Sequence, residues 1–259
     1  MHNAALAATG LDGWRYQLLP VVPELFAELV AALPGSGFRG ANVTIPHKQA
    51  ALALATDPTA RARAIGAANT LVFEAGATIV ADNTDAPALI DALPFEIGGA
   101  DVLVLGAGGS ARAAVWALHD AGAGQVRVWN RTPERARRLC EELGGTPVTR
   151  AGPADVLVNC TAVGLDGADS LQGLPLSRSE LVDYGCVVDL VYTAGRTALI
   201  RRALELGMPA VDGLELLVGQ GALSFERFTG IGAPLDAMRA AVGAGRPSAP
   251  PDGGYGARP

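Results

Sequence analysis

Residues 101–121 combine three local signals in an order that few folds can accommodate. Asp101-Val102-Leu103-Val104-Leu105 is an unbroken apolar run after its first residue, the pattern of a strand buried on both faces of a parallel sheet. It ends at Gly106-Ala107-Gly108-Gly109-Ser110-Ala111, which matches G-x-G-x-x-G/A, and residues 110–121 then read as a helix. Glycine in such a turn lets the backbone bend sharply and approach a pyrophosphate, whose charge rests on the free amides and dipole of the helix N-terminus. Gly-rich turns after strands can serve packing alone, but a strand before and a helix after put dinucleotide binding ahead of that reading. Strands over 125–129, 155–159 and 186–190 and a helix over 133–143 continue the alternation, predicting a parallel sheet with right-handed crossovers.

The end of the next strand bears on which dinucleotide is bound. NAD sites usually place Asp or Glu there to accept hydrogen bonds from the ribose hydroxyls. This chain has Asn130-Arg131-Thr132, with Arg135 one turn into the following helix. A guanidinium fork and a hydroxyl suit a 2′-phosphate, and an acid that would repel it is absent at the strand end. The cofactor is therefore expected to be NADP(H), held by Gly106, Gly108, Gly109, Ser110 and Ala111 at the pyrophosphate and by Asn130, Arg131, Thr132 and Arg135 at the adenosine end.

Upstream, residues 3–8 and 23–33 have helical spacing, residues 14–19 and 41–45 alternate like strands, and 70–73 with 78–81 read as a hairpin. This half is also predicted to be α/β. It contains the chain's one lysine, Lys48, against 19 arginines. Arginine stays protonated at any ordinary pH, whereas a lysine can give up and retake a proton, so Lys48 is the candidate proton shuttle. The clusters Asn69-Thr70 and Asp82-Asn83-Thr84-Asp85 are of the type that often forms plain turns. Lys48, Asn69 and Asp85 nevertheless lie on loops that can face a cleft between two domains, where small-molecule sites tend to form.

Composition excludes several classes. A hydrophobic fraction of 49% with 18% charge describes a globular chain rather than a disordered one, and a net charge of −6 argues against a nucleic-acid partner. No apolar run approaches the roughly 18 to 20 residues of a membrane span, and no secretory signal precedes the first helix, so the cytoplasm is the default location. Cys140, Cys160 and Cys186 lack metal-site spacing and read as reduced thiols, and three histidines offer a metal little. The expected partner is a small-molecule substrate, with monomer and homodimer both open. Residues 243–259, rich in Gly and Pro, are expected to form a disordered tail.

Several segments together resemble the shikimate dehydrogenases, the family that includes the quinate/shikimate dehydrogenases. They are His2-Asn3 before the first helix, NVTIPHK (42–48), GAANT (66–70), DNTD (82–85), GAGGSARA (106–113), NRT (130–132), NCTAVG (159–164), residues 189–192 and residues 212–220. The resemblance spans nearly the whole chain and implies NADPH-dependent reduction of 3-dehydroshikimate to shikimate, in aromatic amino-acid and chorismate biosynthesis. It implies two α/β domains: a substrate domain, 1–84 plus 214–242, and a Rossmann-like NADP domain, 85–213. It makes Lys48 and Asp85 the catalytic pair and places Thr44, Asn69 and Gln220 on the substrate hydroxyls. Tyr192 would lie near the substrate carboxylate and Gly213 beside the nicotinamide.

Departures from the family pattern raise alternatives. The family has a first strand and a Ser-x-Ser pair ahead of His-Asn, whose hydroxyls bind the substrate carboxylate, whereas this sequence opens at Met1-His2-Asn3 and its first serine is Ser36. The expectation is that the natural start lies upstream; otherwise the chain would be a non-catalytic nucleotide-binding relative. Ala86, Ala194 and Leu216 replace residues usual in the family without removing a chemical group, and they leave quinate open as a substrate.

Overall fold

The computed structural model describes residues 1–167, 171–193 and 195–243 of the chain. The tail expected beyond Gly243 and the departure at Ala194 lie outside the described residues.

The run at 101–105 is the centre of the molecule. β5 (Asp101–Leu105) pairs in parallel with β6 (Gln125–Trp129) on one side and with β8 (Ala154–Asn159) on the other. β7 (Thr146–Val148), β9 (Tyr184–Asp189) and β10 (Ala210–Val211) complete a six-stranded, wholly parallel sheet of order β10-β9-β8-β5-β6-β7. Alternate residues of β5 enter two separate cores, Val102 and Val104 with Val156, Val158 and Val188 on one face, Leu103 and Leu105 with Leu157 and Val187 on the other. That alternation is why the strand reads as continuous apolar sequence. The sequence pattern misses the two edge strands, β7 because three residues around Pro147 carry no pattern and β10 because it has two.

α6 (Gly109–Asp120) follows the glycine turn and covers one face of this sheet with Ala111, Ala114, Val115 and Leu118. α7 (Pro133–Leu143) follows β6, and α8 (Ala198–Glu205) packs on β9.

The first half is a four-stranded sheet of order β1-β3-β4-β2, made by β1 (Gly40–Asn42), β2 (Asp57–Pro58), β3 (Thr70–Glu74) and β4 (Thr78–Asp82). The expected hairpin is β3–β4, with antiparallel partners from Thr70↔Asp82 to Glu74↔Thr78. Around it lie α1 (His2–Ala8), α2 (Phe26–Ala32), α3 (Lys48–Leu54) and α4 (Ala60–Ile65). The helix expected over 23–33 begins as a 3₁₀ turn at Pro23–Leu25, and the strand expected over 41–45 is shorter and earlier as β1.

Residues 14–19 do not form the expected strand. Their backbone is tied to the Asn3 side-chain amide instead: Asn3 Nδ2 donates to the Tyr16 carbonyl at 2.9 Å and Oδ1 accepts the Tyr16 N–H at 2.8 Å. Leu18 is 86% exposed, so the alternation at 14–19 has no second face to bury.

The two halves meet along α5 (Asp85–Ala92), which packs on α6, and along α9 (Gly213–Thr229), which packs on α5 and β3. Val218, Ala222 and Phe225 of α9 share a core with Ala5 and Leu6 of α1 and Met238 of α10 (Leu235–Val242), so the chain's last described helices pack on its first. Among the described residues no helix is long and apolar enough to cross a membrane, and no cluster of metal-ligating side chains forms.

Candidate active site

Lys48 is the first residue of α3 and is buried, 8% exposed. Its Nζ donates to Asp85 Oδ2 at 2.7 Å and to Ser110 Oγ at 2.9 Å. Asp85 opens α5, where the helix N-terminus favours a carboxylate. Its other oxygen, Oδ1, accepts from Asn69 Nδ2 at 2.8 Å. The chain's one lysine is thus joined to a carboxylate 37 residues away and, through it, to the GAANT loop.

The Asn/Asp/Thr clusters are buried structure as well as turns. Asn83, fully buried, donates to the Ala67 carbonyl at 3.0 Å and accepts from the Asp85 and Ala86 amides at 3.1 and 3.2 Å. This caps α5 and staples DNTD to GAANT. Asn69 Oδ1 accepts the Thr84 N–H at 2.8 Å and the Thr70 hydroxyl at 3.1 Å, which fixes the amide's orientation. Asn69 Nδ2 also lies 3.3 Å from Gln220 Oε1 on α9. Gln220, Asn69, Asp85 and Lys48 therefore form one contiguous polar group.

One turn outward, Asp82 anchors the same loop. Arg61 donates to both its oxygens at 3.0 and 2.9 Å, and Arg227 of α9 reaches Oδ2 at 2.6 Å. Burial alone would raise this carboxyl's pKa. The Arg61 charge, the Asn83 amide, the Thr59 hydroxyl and Arg227 outweigh it and hold the group below the usual carboxylate range.

Thr44 is exposed at the turn before α3, where its carbonyl takes the His47 N–H at 2.9 Å, and it stands outside the hydrogen-bonded group. Tyr192 is 44% exposed. Burial, with Tyr192 adding to it, pushes the Tyr16 phenol up to about 12. The Tyr16 hydroxyl donates to Asn42 Oδ1 at 3.0 Å, and Asn42 Nδ2 donates to Thr70 Oγ1 at 3.4 Å, linking Tyr16 to the Asn69 cluster. Sequence reasoning missed Tyr16 because it treated the residue as one step of a strand.

Next to Lys48 lies the glycine turn. Gly106 has φ +113°, and a Cβ there would sit 3.0 Å from the Cys160 carbonyl. Gly106, Gly108, Asn130, Arg131 and residues 160–165 wall a cavity of about 780 Å³ at the carboxyl ends of β5, β6 and β8. Thr132 and Arg135 follow, exposed, at the start of α7. The Asn130 side chain donates to the Thr132 carbonyl at 2.9 Å and so shapes this turn. Gly109 has a second reason to lack a side chain: its Cβ would lie 2.9 Å from Lys48 Cβ. At Gly213 a Cβ would collide with the Val191 carbonyl, so glycine lets α9 start against the loop after β9.

That loop and the one after β8 are held by Asp189, which is fully buried. It accepts from Asn159 Nδ2 at 2.9 Å, Thr197 Oγ1 at 2.6 Å and the Val191 amide at 3.0 Å. Asn159 Oδ1 in turn takes the Thr161 N–H at 3.0 Å and hydroxyl at 2.7 Å, beside the cavity. Burial raises the Asp189 pKa to about 6 despite these donors.

The model of the shikimate dehydrogenase substrate binding domain matches residues 1–71, that of shikimate/quinate 5-dehydrogenase residues 91–162, and that of the shikimate 5′-dehydrogenase C-terminal domain residues 213–242. The NADP⁺ shikimate dehydrogenase of Methanothermobacter thermautotrophicus is 40% identical over 257 residues, covering 93% of this chain and 89% of the relative. The chain belongs to the shikimate dehydrogenase family. Another family member, from Methylobacterium radiotolerans, is 42% identical over 245 residues, 89% of this chain and 86% of its own. Among solved structures, shikimate 5-dehydrogenase of Thermus thermophilus in complex with NADP(H) and shikimate superposes with a TM-score of 0.83 at 37% identity, covering 93% of this chain and 91% of its own. The two α/β halves and the Rossmann-like parallel sheet are thus those of the family.

Proposed function

We propose that this protein catalyses the reversible, NADP-dependent reduction of 3-dehydroshikimate to shikimate, with Lys48 and Asp85 as the catalytic pair. The observation that carries the reading is the 2.7 Å ion pair between them, set against the first turn of the dinucleotide helix. In this reading residues 1–84 with 214–242 form the substrate unit and 85–213 the nucleotide unit.

The residues fit NADP(H). The φ of Gly106 and its tight approach to Cys160 shape a turn that only glycine adopts readily, and Arg131 lines the cavity just past the end of β6, where the strand is followed by Asn130 rather than an acid, with Asp166 on the cavity wall as well. Bound there, NADP(H) supplies or accepts the hydride. Gly106, Gly108, Gly109, Ser110 and Ala111 take the pyrophosphate, Asn130, Arg131, Thr132 and Arg135 the adenosine end, and Gly213 lies beside the nicotinamide ring.

The chemistry at the other half follows from charge. Reducing a ketone builds negative charge on oxygen, and the Lys48 ammonium stabilises that charge and gives the oxygen its proton. In the oxidative direction the neutral amine takes the proton back. Asp85 orients Nζ and is itself oriented by Asn69, so the three act as one unit. Asn69, Gln220 and Thr44 hold the ring hydroxyls and Tyr192 the carboxylate side.

The test is an absorbance assay of nucleotide reduction with shikimate and NADP, run beside quinate and beside NAD. Turnover with shikimate and NADP well above either comparison supports the reading, and turnover only with quinate or only with NAD overturns its substrate or cofactor.

A further inference from the structure

A protonated lysine has three N–H donors. In this structure two have fixed acceptors, Asp85 Oδ2 at 2.7 Å and Ser110 Oγ at 2.9 Å, and among the described residues these are the side chain's hydrogen bonds. The acceptors come from two different helices, Asp85 from the head of α5 and Ser110 from the first turn of α6. The lysine stem lies flat on that same turn, since a Cβ on Gly109 would stand 2.9 Å from Lys48 Cβ and 3.1 Å from Cδ.

We propose that Ser110 is a positioning residue for proton transfer, acting through Lys48; this rests on the reading of Lys48 as proton donor. One hydrogen bond leaves a flexible four-carbon stem free to swing Nζ around the Asp85 oxygen. A second acceptor in a different direction fixes Nζ and aims the remaining N–H into the cleft. In reduction that N–H bond breaks and an O–H bond forms on the substrate oxygen, while the hydride from NADPH reaches the carbon. The amine left behind still donates to Asp85 and Ser110, and the reverse reaction returns the proton to its lone pair. Accepting from Lys48 leaves the serine's own O–H free to donate, so contact with the nucleotide and support of the lysine are compatible, and turnover at saturating NADPH separates them.

The experiment compares Ser110→Ala, Ser110→Thr and Lys48→Met in the full chain. The readouts are kcat, KM for shikimate, the dissociation constant of NADPH and the solvent deuterium isotope effect on kcat. Measured at saturating NADPH, so that any weakening of nucleotide binding drops out, Ser110→Ala should lower kcat about tenfold and raise the isotope effect, with shikimate KM within about twofold of the parent. Ser110→Thr, which keeps a hydroxyl on the same turn, should restore most of the loss. Parent kcat and isotope effect in Ser110→Ala, or a loss confined to NADPH affinity while Lys48→Met abolishes turnover, would overturn the role given to Ser110. Turnover persisting in Lys48→Met would instead remove the catalytic reading of Lys48, and this inference with it.

Discussion

At the scale of single residues, the proposed catalytic group depends on Lys48 being a lysine and on a glycine beside it. Lys48→Arg retains the charge and can still pair with Asp85, but a guanidinium does not give up its proton. Its kcat is expected to fall by about 10²–10⁴-fold, with the thermal unfolding midpoint little changed. Comparable turnover in that variant would remove Lys48 from the proton path. Gly109→Ala adds a methyl 2.9 Å from Lys48 Cβ, so the stem must shift. A displacement approaching 1 Å at Nζ is expected to lower kcat by about 10²-fold, while the backbone amides of the glycine turn stay where they are. Measuring kcat beside the NADPH dissociation constant separates the two effects, and an unchanged kcat would show that the stem absorbs the methyl without moving Nζ. Lys48 was legible in the sequence because it is unique there, and the glycines because a strand and a helix flank them. The contacts of Ser110 and Gly109 with Lys48 were not, because they join positions about 60 residues apart and exist only once the two halves are packed.

At the scale of elements, α6 serves both halves with two different faces. Ala111, Ala114, Val115 and Leu118 pack on the parallel sheet, whereas Ala113 and Ala117 pack on Ile65 of α4 and Ala86 of α5. Between these faces Arg112 is buried, its Nε donating to the Ile65 carbonyl at 2.6 Å and Nη1 pairing with Glu142 at 2.7 Å. α4 ends at Gly66 with φ +73°, and a side chain there would collide with the guanidinium. The arginine thus satisfies the open carbonyl end of a helix from the other half of the chain. Arg112→Met should strand that carbonyl and cost about 1–3 kcal/mol, read as a lower midpoint in urea. An unchanged midpoint would mean that the alanine seam alone holds α4 to α6. The seam's small residues could be read in GAGGSARA as helix, but not which half each faces. The helical period gives the stripes of a helix without naming what covers them. Residues 14–19 show the converse limit: their alternation is real, yet the Asn3 amide takes the backbone bonds that a neighbouring strand would have made.

At the scale of the whole molecule, two buried carboxylates anchor the two halves and titrate in opposite directions. Asp82 binds Arg61 and Arg227 beside the four-stranded sheet, and Asp189 ties the loops after β8 and β9 of the six-stranded one. The Asp82 pKa is lowered on folding, so its contribution is fully present above the ordinary carboxylate value and is lost as pH falls through the folded one. Asp189 is raised from 3.8 to about 6, so between those values the folded state holds a proton that the unfolded chain has released. Stability from this group is therefore greatest below the lower value, declines toward about 6 and is level above, a loss on the order of 3 kcal/mol. Asp189→Asn should remove that decline, and Asp82→Asn should lower the neutral plateau while weakening the loss in acid. Urea unfolding of the parent and both variants across this range separates the contributions, because each substitution flattens a different limb. If the parent and Asp189→Asn curves stay parallel from pH 4 to pH 7, the carboxylate is ionised throughout, and its three donors outweigh burial.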